Sequence, residues 1–446
     1  MAPPTETDVL IVGAGPAGMS AALSLHKNGV KNITIVDATE QGVHFSRAMV
    51  IHAATLEKLD TIGVAEKMIE LGEKVPIMSY YDRKSLLINV EFSALHPYTR
   101  FPFYVLLPQN KTEEVLADKL VSEGIHVHRP YKAKSMQKGT DSKGYTTVIF
   151  EDGASIRARY VIGADGSQSV IRQQAGIDFG DPDGDSDEAG TLAQMVICDV
   201  TFSKPPTIAG HNILFALSTN NFFVFSPLPY PERKASHDPS KSGIYRIASG
   251  VPIAEGVPPA NTTKEYVQDL INRFGPLRMS SDPAVNEKPF EVEELVWYTR
   301  FRTRSAIASR FWTRFSGSRN ELGGMINLIG DAAHIHPPAG GQGMNLGLRD
   351  AITIGPTIAE HMTHDSHPDS IIESYANLRR ERALRVINIA KTMASTVGMS
   401  IRASEYHPWL PFIKLNTIRD WVLWTIGKSY YVRRKLAYDF SGLGAP

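Results

Sequence analysis

The sequence predicts an α/β fold: a Rossmann-like dinucleotide-binding domain, an antiparallel-sheet domain inserted into it, and a helical C-terminal segment. Three observations predict it. A strand, glycine turn, helix and second strand open the chain at Asp8–Asp37. From about Gly180 to Ser305 the pattern changes to long strand-like runs separated by Pro/Ser-rich connections. At Leu328–Ala351, LIGDAAHIHPPAGGQGMNLGLRDA, a second strand, glycine loop and helix return and lead into helical sequence.

The opening unit is the most specific. Asp8–Val12 is apolar, and Gly13, Gly15 and Gly18 follow in Gly-x-Gly-x-x-Gly spacing. Gly13 makes the tight turn, Gly15 lets backbone approach a pyrophosphate, and Gly18 lets the helix pack closely on the strand. The helix runs to about Asn28 and is stopped by Gly29; the next strand, Asn32–Asp37, ends on an acid. An acid roughly 20 residues beyond such a turn takes ribose hydroxyls, while the helix N-terminus faces the phosphates.

Arg47 precedes an amphipathic helix at about Ala53–Leu59, as a solvated charge or, beside a nucleotide, as a phosphate contact. Val75–Arg100 carries strand-like MSYYD and LLINVEF, and PQNKTEEVLADKLVSEG is a helix with Gln109 at its start. Strand-like IHVHRPYKAKSMQ and YTTVIFEDG follow, Asp152-Gly153 marking a turn. Ile156–Val161 leads into Gly163-Ala164-Asp165-Gly166-Ser167 and a helix at Arg172. Asp165 suits a helix-capping turn. The inserted sheet comprises EAGTLAQMVICDVTF, NILFALSTNNFFVFSPL, SGIYRIASG and FEVEELVWYTRFRTRS, with one helix, TKEYVQDLINRFG. The nucleotide domain is therefore expected at 1–75, 102–178 and 310–395, the sheet domain at 76–101 and 179–309, and the C-terminal helical segment at 396–446. That last segment reads as helical from about His407, and sets Trp421, Trp424, Tyr430 and Tyr431 beside Arg433-Arg434-Lys435. It suits packing onto the body or a second subunit, or contact with a membrane surface.

The Gly-rich loop of the second unit is defined by what it cannot form. Pro337-Pro338 and Gly340-Gly341 forbid a regular element. The backbone N–H groups can then point at an anion or a polar ring, and Asp331 at the strand end can accept from sugar-type hydroxyls. An ordinary βα turn is the alternative.

Composition narrows the partners. The 446 residues allow two or three domains. Lys+Arg and Asp+Glu both number 47, so net charge gives no support for nucleic acid. A single cysteine, Cys198, excludes an intramolecular disulfide and any Cys-built metal site; in AQMVICDV it reads as a buried thiol. The N-terminus lacks a basic leader and no apolar run reaches the roughly 18 residues of a membrane span, which makes the cytoplasm the expected compartment.

Glycine triplet, Gly163–Ser167 block and Gly330-Asp331-Ala332-Ala333-His334 block, in this order, resemble the class A flavoprotein monooxygenases, the family of p-hydroxybenzoate hydroxylase and phenol hydroxylase. SRAMVIHAATLEKL and LLPQNKTEEVL are weaker matches, and the resemblance spans about residues 7–395. It implies FAD along Gly13, Gly15 and Gly18 with Asp37 on the adenosine ribose, and Arg47, Gln109 and Asp331 about the pyrophosphate and ribityl chain. It places Gly341, Gly343, Met344 and Asn345 at the flavin's pyrimidine edge, and gives Asp165 to a motif that serves FAD and the nicotinamide donor. By the same resemblance NADPH or NADH reduces FAD, O₂ adds as a C4a-hydroperoxide, and oxygen passes to an electron-rich ring. Epoxidation, dearomatisation or a dehydrogenase or reductase reaction are alternatives, as is a non-catalytic FAD-binding protein.

The substrate side is less sharply drawn. Phe222, Phe223 and Phe225 could wall an aromatic pocket or form ordinary core. Tyr245 lies on a strand that matches one where the family places a phenol-contacting tyrosine, and leads the catalytic candidates; Arg246 and His211 follow, with Tyr298 and Arg302 behind. His334 and His336 flank the loop without metal-ligand spacing, and Pro337 and Pro338 shape the space above the flavin. Met49 stands where phenol hydroxylase carries an aspartate, and Ala54 where the family carries an arginine. A larger or more apolar phenolic or polyketide-like substrate is therefore expected, with no thioredoxin-like domain after FSGLGAP and a homodimer as the default assembly.

Overall fold

Apolar, β-branched segments line up first. In the computed structural model, which describes all residues except 1, 43–47, 139–143, 185–193, 207–211, 219–220, 230–242, 303, 316–322, 338, 364–368, 398–405, 408–409 and 445–446, a parallel sheet runs Met325–Leu328, Ser155–Gly163, Glu6–Val12, Ile33–Val36, Val127–His128. Val9, Leu10, Ile11, Ile35, Val161 and Ile162 are wholly buried, as expected where both faces of a parallel sheet are covered. Trp312–Arg314 adds an antiparallel edge, and Ala133–Lys138 and Thr146–Phe150 extend from Ser155–Gly163 as an antiparallel meander.

The described helices are α1 (Pro16–Lys27), α2 (Ala53–Thr61), α3 (Ala65–Leu71), α4 (Gln109–Ser122), α5 (Val170–Gln174), α6 (Lys264–Phe274), α7 (Gln342–Thr363), α8 (Ser370–Val397), α9 (Leu415–Ile426) and α10 (Tyr430–Phe440). The seam between α1 and α7 shows how local chemistry sets their spacing. Pro356 lies inside α7 and has no N–H to give the carbonyl four residues earlier, Ile352. The Ser24 hydroxyl of α1 donates to that oxygen at 2.6 Å. A Cβ on Gly355 would stand 2.2 Å from Ser24 Oγ, so the two helices meet at backbone distance.

The inserted sheet runs Val292–Arg302, Gln194–Phe202, Tyr245–Gly250, Asn221–Pro227, Ile213–Ser218, Ile77–Tyr81, Leu86–Glu91. It is antiparallel except between Ile213–Ser218 and Ile77–Tyr81, which are parallel. That joint unites two separate excursions of the chain, so no hairpin dictates its direction. α6 covers one face, where Val267, Leu270 and Ile271 pack on Val196, Cys198, Phe223, Phe225 and Tyr245. The other face, with Met195, Ile197, Val224 and Ala248, packs toward a small sheet of Val50–Ile51, Tyr104–Leu106 and Glu73–Val75.

The C-terminal segment departs from expectation at its start. Leu410–Lys414 pairs with Tyr406–His407 as strand rather than helix, because Pro411 biases its neighbour away from helical backbone. α9 begins only at Leu415. α10 lies against Leu86–Glu91 and the turn Phe92–Leu95, with Arg433 paired to Glu91 at 2.8 Å. Trp421, Trp424, Tyr430 and Tyr431 are exposed. Among the described residues no helix is long and apolar enough to cross a membrane.

Candidate functional site

Three of the parallel strands end side by side, and each end carries a glycine motif. Glu6–Val12 runs into Gly13, its neighbour Ser155–Gly163 into Ala164-Asp165, and the next, Met325–Leu328, into Gly330-Asp331. Ligands of open α/β sheets bind outside such carboxyl ends. The motifs touch: a Cβ on Gly13 would stand 2.2 Å from Ala164 O, and one on Gly18 1.9 Å from Gly13 O. Gly13 itself has φ +107. Gly15 differs, for a Cβ there would meet nothing within 4 Å. That open space faces the start of α1, where Gly15 is the N-cap, no side chain caps the helix and Pro16 occupies the first turn. The orphan N–H groups and open room are what a bound pyrophosphate requires.

At the second strand's end Asp37 accepts from Ala14 N–H (2.7 Å), Thr39 N–H (2.9 Å) and Thr39 Oγ (2.6 Å), and pairs with Arg129 at 2.8 Å. Arg129 follows the Val127–His128 strand, and no spacing rule would have found it. Gln109 Nε2 donates to Glu113 Oε1 at 2.9 Å and its backbone N–H to Ala48 O at 3.0 Å. Burial pushes the Glu113 carboxyl up. Arg47 lies outside the described residues, as do His211 and Pro338; the Arg302 side chain is likewise not described.

Asp165 has one oxygen accepting from Ile171 N–H at 3.1 Å, a helix cap, while its Oδ1 is buried without a partner. Burial raises its pKa. Arg172 joins the second motif to the third, Nη1 donating to Ala332 O and Nη2 to Ser167 O, both at 2.8 Å. Asp331 is exposed on the short turn Gly330–Ala332.

The glycine loop is held from below. Gly340 and Gly341 have φ +74 and +66, a backbone that side-chained residues rarely adopt. Asn345, fully buried, spends its side chain on the protein: Oδ1 accepts from His52 N–H (2.9 Å) and Nδ2 donates to Val50 O (2.7 Å) and Gly341 O (2.8 Å). A Cβ on Gly343 would meet nothing within 4 Å, and Met344 is half-buried. His336 Nδ1–H donates to Pro337 O at 2.8 Å, leaving Nε2 buried and unpartnered, and burial lowers its pKa to about 4. Below the loop His334 Nε2 sits 2.6 Å from Asp350 Oδ2, Arg379 Nε 2.6 Å from Oδ1, and all three side chains are at most 2% exposed. Tyr375 OH donates to Asp350 O at 2.8 Å.

The catalytic candidates are divided by strand parity. Tyr245 is stacked on Phe225 at 5.2 Å in the core beneath α6, on the face turned away from the glycine loop. That placement does not bring Tyr245 to the loop, where its expected role as a phenol contact would put it. Tyr298 shares the face and donates to Pro259 O at 3.0 Å. Arg246 projects from the opposite face, where Asp199 engages it twice, at 2.7 and 2.8 Å, both side chains at most 5% exposed. Phe223 and Phe225 are core beneath α6, whereas Phe222 packs on the loop-facing side.

A family model described as FAD binding domain matches residues 6–390. The uncharacterized aromatic compound monooxygenase YhjG of Bacillus subtilis is 30% identical over 386 residues, covering 84% of this chain and 66% of that protein. The pentachlorophenol 4-monooxygenase of Sphingobium chlorophenolicum is 28% identical, covering 86% of this chain and 63% of its own. The chain thus spans about two thirds of the length of these relatives. The fold is shared by the p-nitrophenol 4-monooxygenase of Pseudomonas putida, with TM-score 0.75, 20% identity and 99% of both chains covered. FAD suits the residues present, through the open room at Gly15, the uncapped α1 and the unpartnered Asp165 Oδ1. The chain belongs to the FAD binding domain family, and the relatives described above, similar to it in sequence or fold, are named as monooxygenases of aromatic compounds.

Proposed function

We propose that this chain is a flavoprotein monooxygenase that uses NAD(P)H and O₂ to hydroxylate a phenolic or polyketide-like aromatic compound. The observation that carries the reading is the meeting of three glycine motifs at the carboxyl ends of three adjacent strands. The relatives support the substrate class, since they are named for aromatic compounds, one of them pentachlorophenol.

In this reading Gly13, Gly15, Gly18 and Asp37 hold the adenosine diphosphate end, with Arg129 fixing the Asp37 carboxylate. Gln109, Asp331 and Arg47 attend the pyrophosphate and ribityl chain. Backbone N–H groups of Gly341, Gly343, Met344 and Asn345 serve the flavin's pyrimidine edge, where negative charge collects on reduction. FAD supplies the redox chemistry when bound; the chain's part is to bind, orient and exclude water. Met195, Ile197, Phe222 and Trp297 present the apolar face that would lie over the ring, and the neutral His336 Nε2 can accept a hydrogen bond from a phenol hydroxyl.

Anaerobic bleaching of bound FAD by NADPH and NADH, with and without a panel of phenols and larger polyphenols, tests the reading. Faster bleaching with particular aromatics, followed by label from isotopic O₂ in the product, is the expected result. Bleaching with no label in any product would replace it with a reductase or dehydrogenase. Tyr245→Phe is expected to leave aromatic-stimulated bleaching unchanged and to alter stability by about 1 kcal/mol at most. Loss of stimulation in that variant would return Tyr245 to the substrate.

A further inference from the structure

We propose that the C-terminal residues Phe440–Gly442 position the flavin loop. The inference rests on the reading that the flavin ring lies against Gly341–Asn345.

Three successive carbonyls of this segment each accept a hydrogen bond from a different part of the flavin side. Tyr104 OH donates to Phe440 O at 2.6 Å, Ala54 N–H to Ser441 O at 3.1 Å, and Arg349 Nη1 to Gly442 O at 3.2 Å. The segment is enclosed: Ser441 is wholly buried. Gly442 has φ +77, and a Cβ there would stand 3.0 Å from Arg349 Nη1 and 3.4 Å from Ala54 Cβ. Ala54 is thus the floor on which the segment rests, and a longer side chain at that position would displace it.

From these anchors two routes lead to the loop. The Tyr104 ring stacks on His52 at 4.5 Å, and His52 Nε2–H donates to Gly340 O at 3.1 Å. Burial, with Arg349 nearby, lowers the His52 pKa to about 3, so the imidazole stays neutral, and the Gly340 carbonyl, which can only accept, places its proton on Nε2. On the second route Arg349 Nε donates to Asn345 O at 3.3 Å, and Asn345 in turn holds Gly341 O. The two positive-φ glycines are therefore fixed at Gly340 O, Gly341 O and Asn345 O by groups that themselves lean on Phe440 and Gly442. Backbone in this region persists only where its surroundings determine it. The C-terminal segment supplies part of that determination at the flavin end, where Tyr104, Ala54 and Arg349 meet it.

Affinity for FAD compared with ADP reads this asymmetry in the full-length apoprotein. Gly442→Val is expected to weaken FAD binding by about tenfold and leave ADP binding unchanged. Tyr104→Phe, a milder change that keeps the stack on His52, is expected to act in the same direction and to shift the absorption of bound flavin. Equal weakening of FAD and ADP, or weakening of neither, would overturn the proposal. Gly343→Val in the loop separates the two levels. If it leaves FAD affinity intact, the flavin is not at the loop and both readings fall. If it weakens FAD while Gly442→Val and Tyr104→Phe do not, only the positioning role falls.

Discussion

Gly15→Val is expected to leave the apoprotein melting where the parent melts while weakening FAD binding by about a hundredfold. The two halves of that result have one cause. Gly15 has φ −75 and ψ −175, extended backbone that valine adopts freely, and its missing Cβ faces space free of protein atoms. A side chain there fills only the room in front of the α1 N-terminus. Gly13→Ala and Gly18→Ala should behave differently, for their new methyl groups would meet backbone at 2.2 and 1.9 Å, so both should lower the melting temperature of the apoprotein as well. Isothermal titration with FAD and thermal melts of the apo forms check both statements. A Gly15→Val protein that still binds FAD like the parent would remove the pyrophosphate from that end of α1.

Asp350→Ala should be the most destabilising of the single changes considered, by about 3–5 kcal/mol, a fall of roughly 3–5 °C in Tm. It strips the carboxylate from between His334 and Arg379 and leaves a buried guanidinium without its partner. Replacing Arg379 as well, in Asp350→Ala/Arg379→Met, should recover much of the loss, since it removes the buried guanidinium that Asp350 pairs with directly. The pair also predicts a pH response. Burial alone would push the Asp350 carboxyl up, but Arg379 and His334 outweigh it and hold its pKa below the ordinary aspartate value. A depressed carboxyl stabilises fully above its unfolded value and loses that contribution as pH falls through the folded one. Below about pH 4, Tm of the parent should therefore fall more steeply than that of Asp350→Asn. Parallel slopes would show that Asp350 does not carry the acid sensitivity.

Much of the nucleotide side was legible because its constraints are local. A glycine turn between strand and helix, with an acid closing the next strand, follows from chain geometry within one βαβ unit, and Gly13–Asp37 folds as its spacing implies. Arg129 and Glu113 were not legible: they reach the site through strand order and a helix face, which no short window contains. Tyr245 and Arg246 show a different limit. In a sheet covered on both sides the polar/apolar alternation that fixes parity is missing, and Ile247 and Ala248 are both buried, so adjacent residues looked equally fit to face a ligand. Nothing in the sequence marks Asp350 within its helix, because its partners, His334 and Arg379, come from a loop and another helix. Leu410–Lys414 was misjudged where aromatic and apolar content outweighed Pro411.

The adjacency of the three motif-bearing strand ends has a consequence for biosynthesis. Gly13 and Gly330 are neighbours across a single intervening strand, yet lie more than three hundred residues apart in the chain. The first glycine turn leaves the ribosome long before the strand that completes its surroundings exists. FAD can therefore meet all three motifs only in a chain that has already closed its longest loops. Closure of that kind is slow, and the cofactor stabilises the closed state by mass action alone. Cellular flavin supply should then govern how long the finished molecule survives more than how fast it is made.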